Sequence, residues 1–290
     1  MQATMDIVNK VAPAALILMM VGMGMCLKKE DFVRIIYYPR AIIVGSLLQL
    51  ILIPLVGFFL AVLFDMRPEL AVGLMILAAC PGGPGSNLIA FMCRGDAALS
   101  VSLTIISSFY TIVTVPLLIK YSLIVFEQGD NVAKISVSKS SFLMLLLAVV
   151  PILIGMLINK VKPKLASKMV KPVKVASMLL LLLLVVGVFI KQSEVIWGYI
   201  QECGVVGYTL CFITMGGGYL AARLMKLPED QRWSIAIEVG IQNGALAIVV
   251  ATTMLENQAM AIPAIVYSPV MISVSLTLVA ITWITRHGLD

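Results

Sequence analysis

The sequence predicts an all-α polytopic membrane protein, and three observations predict it. Of the 290 residues, 61% are hydrophobic and 12% are charged, against about half and a quarter in a soluble domain. The apolar residues fall into nine runs of membrane-spanning length, each bounded by charged or turn-forming residues. Two of those runs are interrupted near their middle by proline, glycine and polar residues, which hydrocarbon does not tolerate in a lipid-facing helix. The same composition excludes disorder, collagen, a disulfide scaffold and a nucleic-acid-binding domain.

The runs are approximately 11–27, 41–64, 70–92, 98–119, 141–159, 173–190, 204–224, 233–254 and 259–283. Run one stops at Lys28-Lys29, run two lies between Arg40 and Asp65, and run three ends at Arg94. Run four opens after Asp96 and closes at Lys120; Lys139 and Lys160 bracket run five. Run six lies between the 160–174 lysine cluster and Lys191, and run seven ends at Arg223. Run eight follows Arg232 and stops before Glu256; run nine ends before Arg286. Fifteen of the 21 basic residues fall in one alternate set of connections, which predicts that set to be cytoplasmic, the N-terminus outside and the C-terminus inside. Run one has no A-x-A site ahead of Lys28-Lys29, so it reads as a span rather than a cleaved signal. The sole histidine, His287 near the C-terminus, leaves little room for His-based catalysis or zinc ligation, and the five cysteines show no CxxC spacing. No enzyme is predicted.

Run three contains Cys80-Pro81-Gly82-Gly83-Pro84-Gly85-Ser86-Asn87. Two prolines remove two backbone donors and three glycines weaken the helix, so the spacing predicts an unwound segment. Run eight contains Glu238-Val239-Gly240-Ile241-Gln242-Asn243-Gly244, and Glu238 is the only acid deep in an apolar run. A carboxylate there costs at least ~2.5 kcal/mol, and no Lys or Arg lies mid-run to neutralise it. A proton or a metal ion supplies the missing charge. Runs three and eight are an odd number of crossings apart, so they run oppositely, as an inverted repeat of runs one to four and six to nine requires. Run five is then the connector.

The polar groups near the breaks are Ser86, Asn87, Glu238, Gln242 and Asn243, with Ser100 and Thr104 one turn apart on run four and Gln49 on run two. Carbonyls of Val239 and Ile241 add to them. Neutral oxygens around one carboxylate suit a hard cation of low charge: transition metals want imidazole or thiolate, and calcium or magnesium gathers more carboxylates. Sodium fits, with protonation of Glu238 as the alternative. The half-helices restart at Pro84-Gly85 and Asn243-Gly244, and their N-terminal dipoles favour an anionic head group there.

In Cys80-Pro81-Gly82-Gly83 with Ser86-Asn87, in Gly95 to Thr104, and in Ile237 to Asn243, the chain resembles the bile acid:sodium symporter family, bacterial members included. The resemblance implies a single transporter domain over 1–290, with a panel (about 11–27 and 141–190) and a core (about 41–119 and 204–283). It implies two sodium sites: Ser86, Asn87, Ser100, Thr104 and Glu238 in the first, and Gln49, Glu238, Val239, Ile241 and Gln242 in the second. It also implies sodium-coupled import of an organic anion by alternating access across a bacterial inner membrane, with no obligatory protein partner. Two departures bear on the substrate contacts. Pro84-Gly85 stands where relatives often have Thr-Ala, and Met271-Ile272-Ser273 stands where many carry a His-Asn pair. Substrate is therefore assigned to Pro84, Gly85, Asn243, Gly244, Met271 and Ser273. A proton-coupled or metalloid exporter on the same architecture, with Cys80 touching the solute, is the competing reading.

Overall fold

The computed structural model describes residues 2–127, 136–191 and 196–287; Lys134, one of the six basic residues in the connections predicted to lie outside, is not among them. Each apolar run contains a helix. In chain order these are α1 (Gln2–Cys26), a short α2 (Lys29–Tyr37), α3 (Pro39–Leu63), α4 (Pro68–Ala79), α5 (Pro84–Met92), α6 (Ala97–Ser122) and α7 (Val137–Val161). They continue as α8 (Pro163–Lys191), α9 (Ile196–Leu224), α10 (Glu229–Gly240), α11 (Gly244–Met254) and α12 (Ile262–His287). Among the described residues, five helices are long and apolar enough to cross a membrane by themselves: α3, α6, α7, α9 and α12. No strand forms among the described residues beyond one isolated bridge.

Local chemistry sets the helix ends. Pro39, Pro68, Pro84 and Pro163 each open a helix, where the missing N–H costs nothing. Asp96 caps α6 by accepting from the amides of Ala98 (3.1 Å) and Leu99 (3.0 Å). Asp65, Arg94, Lys226 and Glu256 take positive φ of 46–57°, and each lies two residues past the end of a helix. The Met66 and Leu227 amides then return to the carbonyls of Ala61 (3.0 Å) and Ala222 (3.1 Å), so α3 and α9 end in the same way. Two elements differ from the sequence expectation. The connection after run one contains helix α2, and α8 begins ten residues before run six because the lysine-rich segment is itself helical.

α1, α7 and α8 pack on one another. Gly24 and Gly155 let the α1 and α7 backbones meet: a Cβ on Gly24 would overlap the Ile152 carbonyl, and one on Gly155 the Val21 carbonyl. The other helices surround α4 and α10–α11, which are buried through Leu70–Ala79, Ser234–Gly240 and Gly244–Thr252. Large apolar side chains face outward elsewhere, including Leu63, Phe91 and Trp197, each about 70% exposed or more within a few per cent. In water such a surface marks an interface; on helices of this length it is the face that lipid covers. The protein is an integral membrane protein.

Candidate functional site

α4 ends at Ala79 and α5 begins at Pro84; α10 ends at Gly240 and α11 begins at Gly244. The two unwound segments cross as a short antiparallel bridge between Gly82 and Gln242. The Asn243 amide donates to the Pro81 carbonyl (2.9 Å), and the Gly83 amide to the Ile241 carbonyl (3.4 Å). Both interruptions predicted from sequence are therefore present, and each satisfies part of the backbone that the other leaves open.

The carbonyls released at the end of α10 can be followed one by one. Ile237 accepts from the Ile241 amide (2.8 Å). Glu238 O accepts from Gln49 Nε2 (3.2 Å), and Val239 O from Gln242 Nε2 (2.8 Å). Gly240 O accepts from the Tyr267 hydroxyl (2.6 Å), and Ile241 O from Gly83. Side chains, three of them, thus replace helical amides here.

Glu238 is fully buried. Its Oε2 accepts from the hydroxyls of Ser86 (2.6 Å) and Ser100 (2.7 Å), and its Oε1 from Thr104 (2.5 Å). The Asn87 carboxamide oxygen lies within reach of the same hydroxyls, 2.8 Å from Ser100 Oγ and 3.3 Å from Thr104 Oγ1, as an alternative acceptor for their single protons. All five residues assigned to the first site converge, drawn from α5, α6 and α10. Gly82 is required beside them: a Cβ there would collide with the Glu238 carboxylate.

The residues assigned to the second site also adjoin one another. Gln49, 5% exposed, lies in a π-helical turn of α3 (Leu48–Leu52) and bridges Glu238 O and the Tyr110 hydroxyl, which donates to Gln49 Oε1 at 3.1 Å. Gln242 is 1% exposed, and its Oε1 is buried without a hydrogen-bond partner. A buried carbonyl oxygen left open is costly and is what a cation would use.

The substrate residues do not form one group. Gly85 faces open space, with Pro84 beside it half-buried. Asn243 is committed to capping α11 through the Leu246 amide (3.0 Å), and Gly244 is buried against Ser268. Ser273 instead meets the Tyr208 hydroxyl (3.0 Å) in a groove of about 510 Å³. Phe212, Tyr219, Trp233 and Thr277 also line that groove, and no residue of either break does. Met271 packs against the apolar core. Cys80, which the exporter reading places on the solute, is 3% exposed. Sequence reasoning missed Gly82, Tyr110 and Tyr267. The glycine was visible within the break, whereas nothing in the sequence separates the two tyrosines from packing aromatics.

Apolar helices of bilayer length, with two of them broken opposite one another around a buried carboxylate, define a broken-helix membrane transporter. The chain belongs to the Sodium Bile acid symporter family, whose pattern matches residues 13–199. It is 33% identical over 244 residues to the sodium-dependent transporter YocS of Bacillus subtilis (strain 168), covering 81% of this chain and 71% of that one. It is 34% identical over 242 residues to the ileal sodium/bile acid cotransporter of Homo sapiens, covering 83% and 68%. It is 32% identical over 259 residues to the probable sodium/metabolite cotransporter BASS1, chloroplastic, of Arabidopsis thaliana. There the match covers 86% of this chain but 61% of the relative's length.

Proposed function

We propose that this chain imports a small organic anion by sodium-coupled symport, using two sodium ions and alternating access. Its family is one of sodium-coupled transporters rather than enzymes. The observation that carries the cation assignment is the second acceptor beside each hydroxyl on Glu238. Ser86 Oγ is also 2.6 Å from the Gly83 carbonyl, Ser100 Oγ is near Asn87 Oδ1, and Thr104 Oγ1 is 3.0 Å from the Ser100 carbonyl. A hydroxyl has one proton and two lone pairs. When a sodium ion enters, each proton turns to its alternative acceptor and each oxygen offers a lone pair, without moving a backbone atom.

Ser86, Asn87, Ser100, Thr104 and Glu238 hold the first ion in this reading. The second is held by Gln49, Gln242 and the carbonyls of Glu238, Val239 and Ile241, with the open Gln242 Oε1 in support. Bound cations tie both breaks together and leave the N-termini of α5 and α11 to attract the anionic head group. Pro84 and Gly85 are the accessible part of that surface. Ser273 and its groove give an apolar, hydroxyl-edged wall for the body of the solute. Two cations with one monovalent anion move one net charge inward, so the membrane potential adds ~2.3 kcal/mol per 100 mV to the sodium gradient.

α1, α7 and α8 form the panel and the remaining long helices the core, and rocking of one on the other exposes the sites alternately. The matching left-handed residues after α3 and α9, and after α5 and α11, support the inverted repeat. The excess of basic residues on one side supports an outer N-terminus and a cytoplasmic C-terminus in a bacterial inner membrane. The test is thermal stabilisation of purified protein by candidate anions, bile acids and smaller carboxylates, with sodium and with potassium. Synergy between sodium and one anion is expected. Equal stabilisation in potassium contradicts symport and favours the proton-coupled exporter.

A further inference from the structure

The geometry points to Tyr267 as a positioning residue that couples α12 to the second cation group. The inference rests on the symport reading above. Tyr267 is the largest of the fully buried side chains, at 1% exposure, and its hydroxyl donates to the Gly240 carbonyl at 2.6 Å. The break makes this bond necessary. In an unbroken helix the Gly244 amide would serve Gly240 O, but here it goes to Gln242 O at 3.0 Å. Among the described residues, the other donor that approaches this oxygen is the Cys211 thiol at 3.9 Å, a weak donor.

Gly240 stands between Val239 and Ile241, two of the three residues whose carbonyls are assigned to the ion. The Gly240–Ile241 peptide is a rigid plane held at both ends, by Tyr267 on its carbonyl and by the Ile237 carbonyl on its amide (2.8 Å). Releasing the carbonyl lets the plane rotate about ψ of Gly240 and φ of Ile241. That rotation re-aims the Ile241 carbonyl and everything C-terminal to it, including Gln242.

The next residue of α12 acts on the other side of the same break. A Cβ on Gly244 would lie 2.9 Å from Ser268 Oγ, so one turn of α12 touches Gly240 through Tyr267 and Gly244 through Ser268. Met271, assigned to substrate, is one turn further along α12. A shift of α12 on solute binding is thereby passed to the backbone that frames the second ion. By linkage the ion acts equally on solute affinity.

The test is Tyr267→Phe in the full chain, reading the sodium half-saturation of thermal stabilisation with and without cholate as the anion probe. Loss of a buried donor from this carbonyl is expected to raise half-saturation about 5- to 100-fold. The Hill coefficient should fall toward one, because the Glu238 hydroxyl cage is untouched, and cholate should shift the sodium curve less than in the native protein. A lower melting temperature with unchanged half-saturation, Hill coefficient and cholate shift overturns the inference and makes Tyr267 merely structural. If Tyr267→Phe does not fold, 3,5-difluorotyrosine at 267 supplies a stronger donor of nearly the same shape. Half-saturation should then fall at least twofold, and no change overturns the inference. A native protein that does not respond to sodium overturns the symport reading first, and this inference with it.

Discussion

Replacing Glu238 by glutamine removes the charge and keeps the shape, so it isolates what the carboxylate contributes. Glu238 is fully buried and its side-chain partners are neutral hydroxyls, so neither bulk water nor a dry apolar interior describes its surroundings. For a cation about 4 Å from the carboxylate at an effective dielectric of 20, the attraction is ~4 kcal/mol. Losing it weakens sodium binding by about a thousandfold, at ~1.4 kcal/mol per tenfold. The empty protein should tolerate the change. Ser86, Ser100 and Thr104 each have a second acceptor, so their oxygens are free to accept from the glutamine amide, and no desolvated charge remains. The assay is the thermal midpoint against sodium chloride at ionic strength held constant with potassium chloride. In the native protein the midpoint should climb with sodium as mass action requires. In Glu238→Gln it should start at least as high and stay flat. A half-saturation within threefold of the native value would refute the reasoning.

Gly82→Ala places a methyl group on the Glu238 carboxylate and should abolish sodium stabilisation although no ligand is changed; native half-saturation in that variant contradicts the close approach. Ser100→Ala removes one oxygen shared by Glu238 and Asn87 and should raise sodium half-saturation about 5- to 30-fold, the loss of ~1–2 kcal/mol, in a sodium titration of uptake. Gly155→Ala wedges α1 from α7 and should cost about 1–3 kcal/mol of stability with sodium half-saturation unchanged, read from paired melting curves. A cysteine at exposed Ser167, in a background lacking Cys26, should react with an impermeant maleimide only after the cells are opened; labelling of intact cells reverses the proposed orientation.

Most of the fold was legible because lipid imposes two strong constraints, length and backbone satisfaction. The limits of the nine apolar runs locate helices, and the PGGPG and Glu-Val-Gly-Ile-Gln-Asn stretches locate both interruptions. The start of α8 was not legible, since Lys162 to Lys174 reads as a charged connection although lysine is a good helix former. The cluster around Glu238 was legible as oxygen-bearing side chains near one buried acid. That Ser86, Ser100 and Thr104 have second acceptors was not, because this depends on angles between helices far apart in sequence. Gln49 and Tyr110 pair across 61 positions, and Tyr267 finds Gly240 only once α12 lies against the end of α10. The separation of Ser273 from Pro84 and Gly85 is of the same kind. Sequence proximity to the breaks grouped residues that the packing places on different walls.

The most direct measurement is the anomalous signal of thallium(I), a heavy monovalent mimic of the alkali ions, in crystals grown without sodium. A peak is predicted among the Glu238 carboxylate, Ser86, Asn87, Ser100 and Thr104, in contact with the oxygens of all five. Sodium added to the crystal should displace it. Density with no peak there at saturating thallium, and the three hydroxyl oxygens still within hydrogen-bond distance of the carboxylate, would contradict a cation at the crossing of the two breaks.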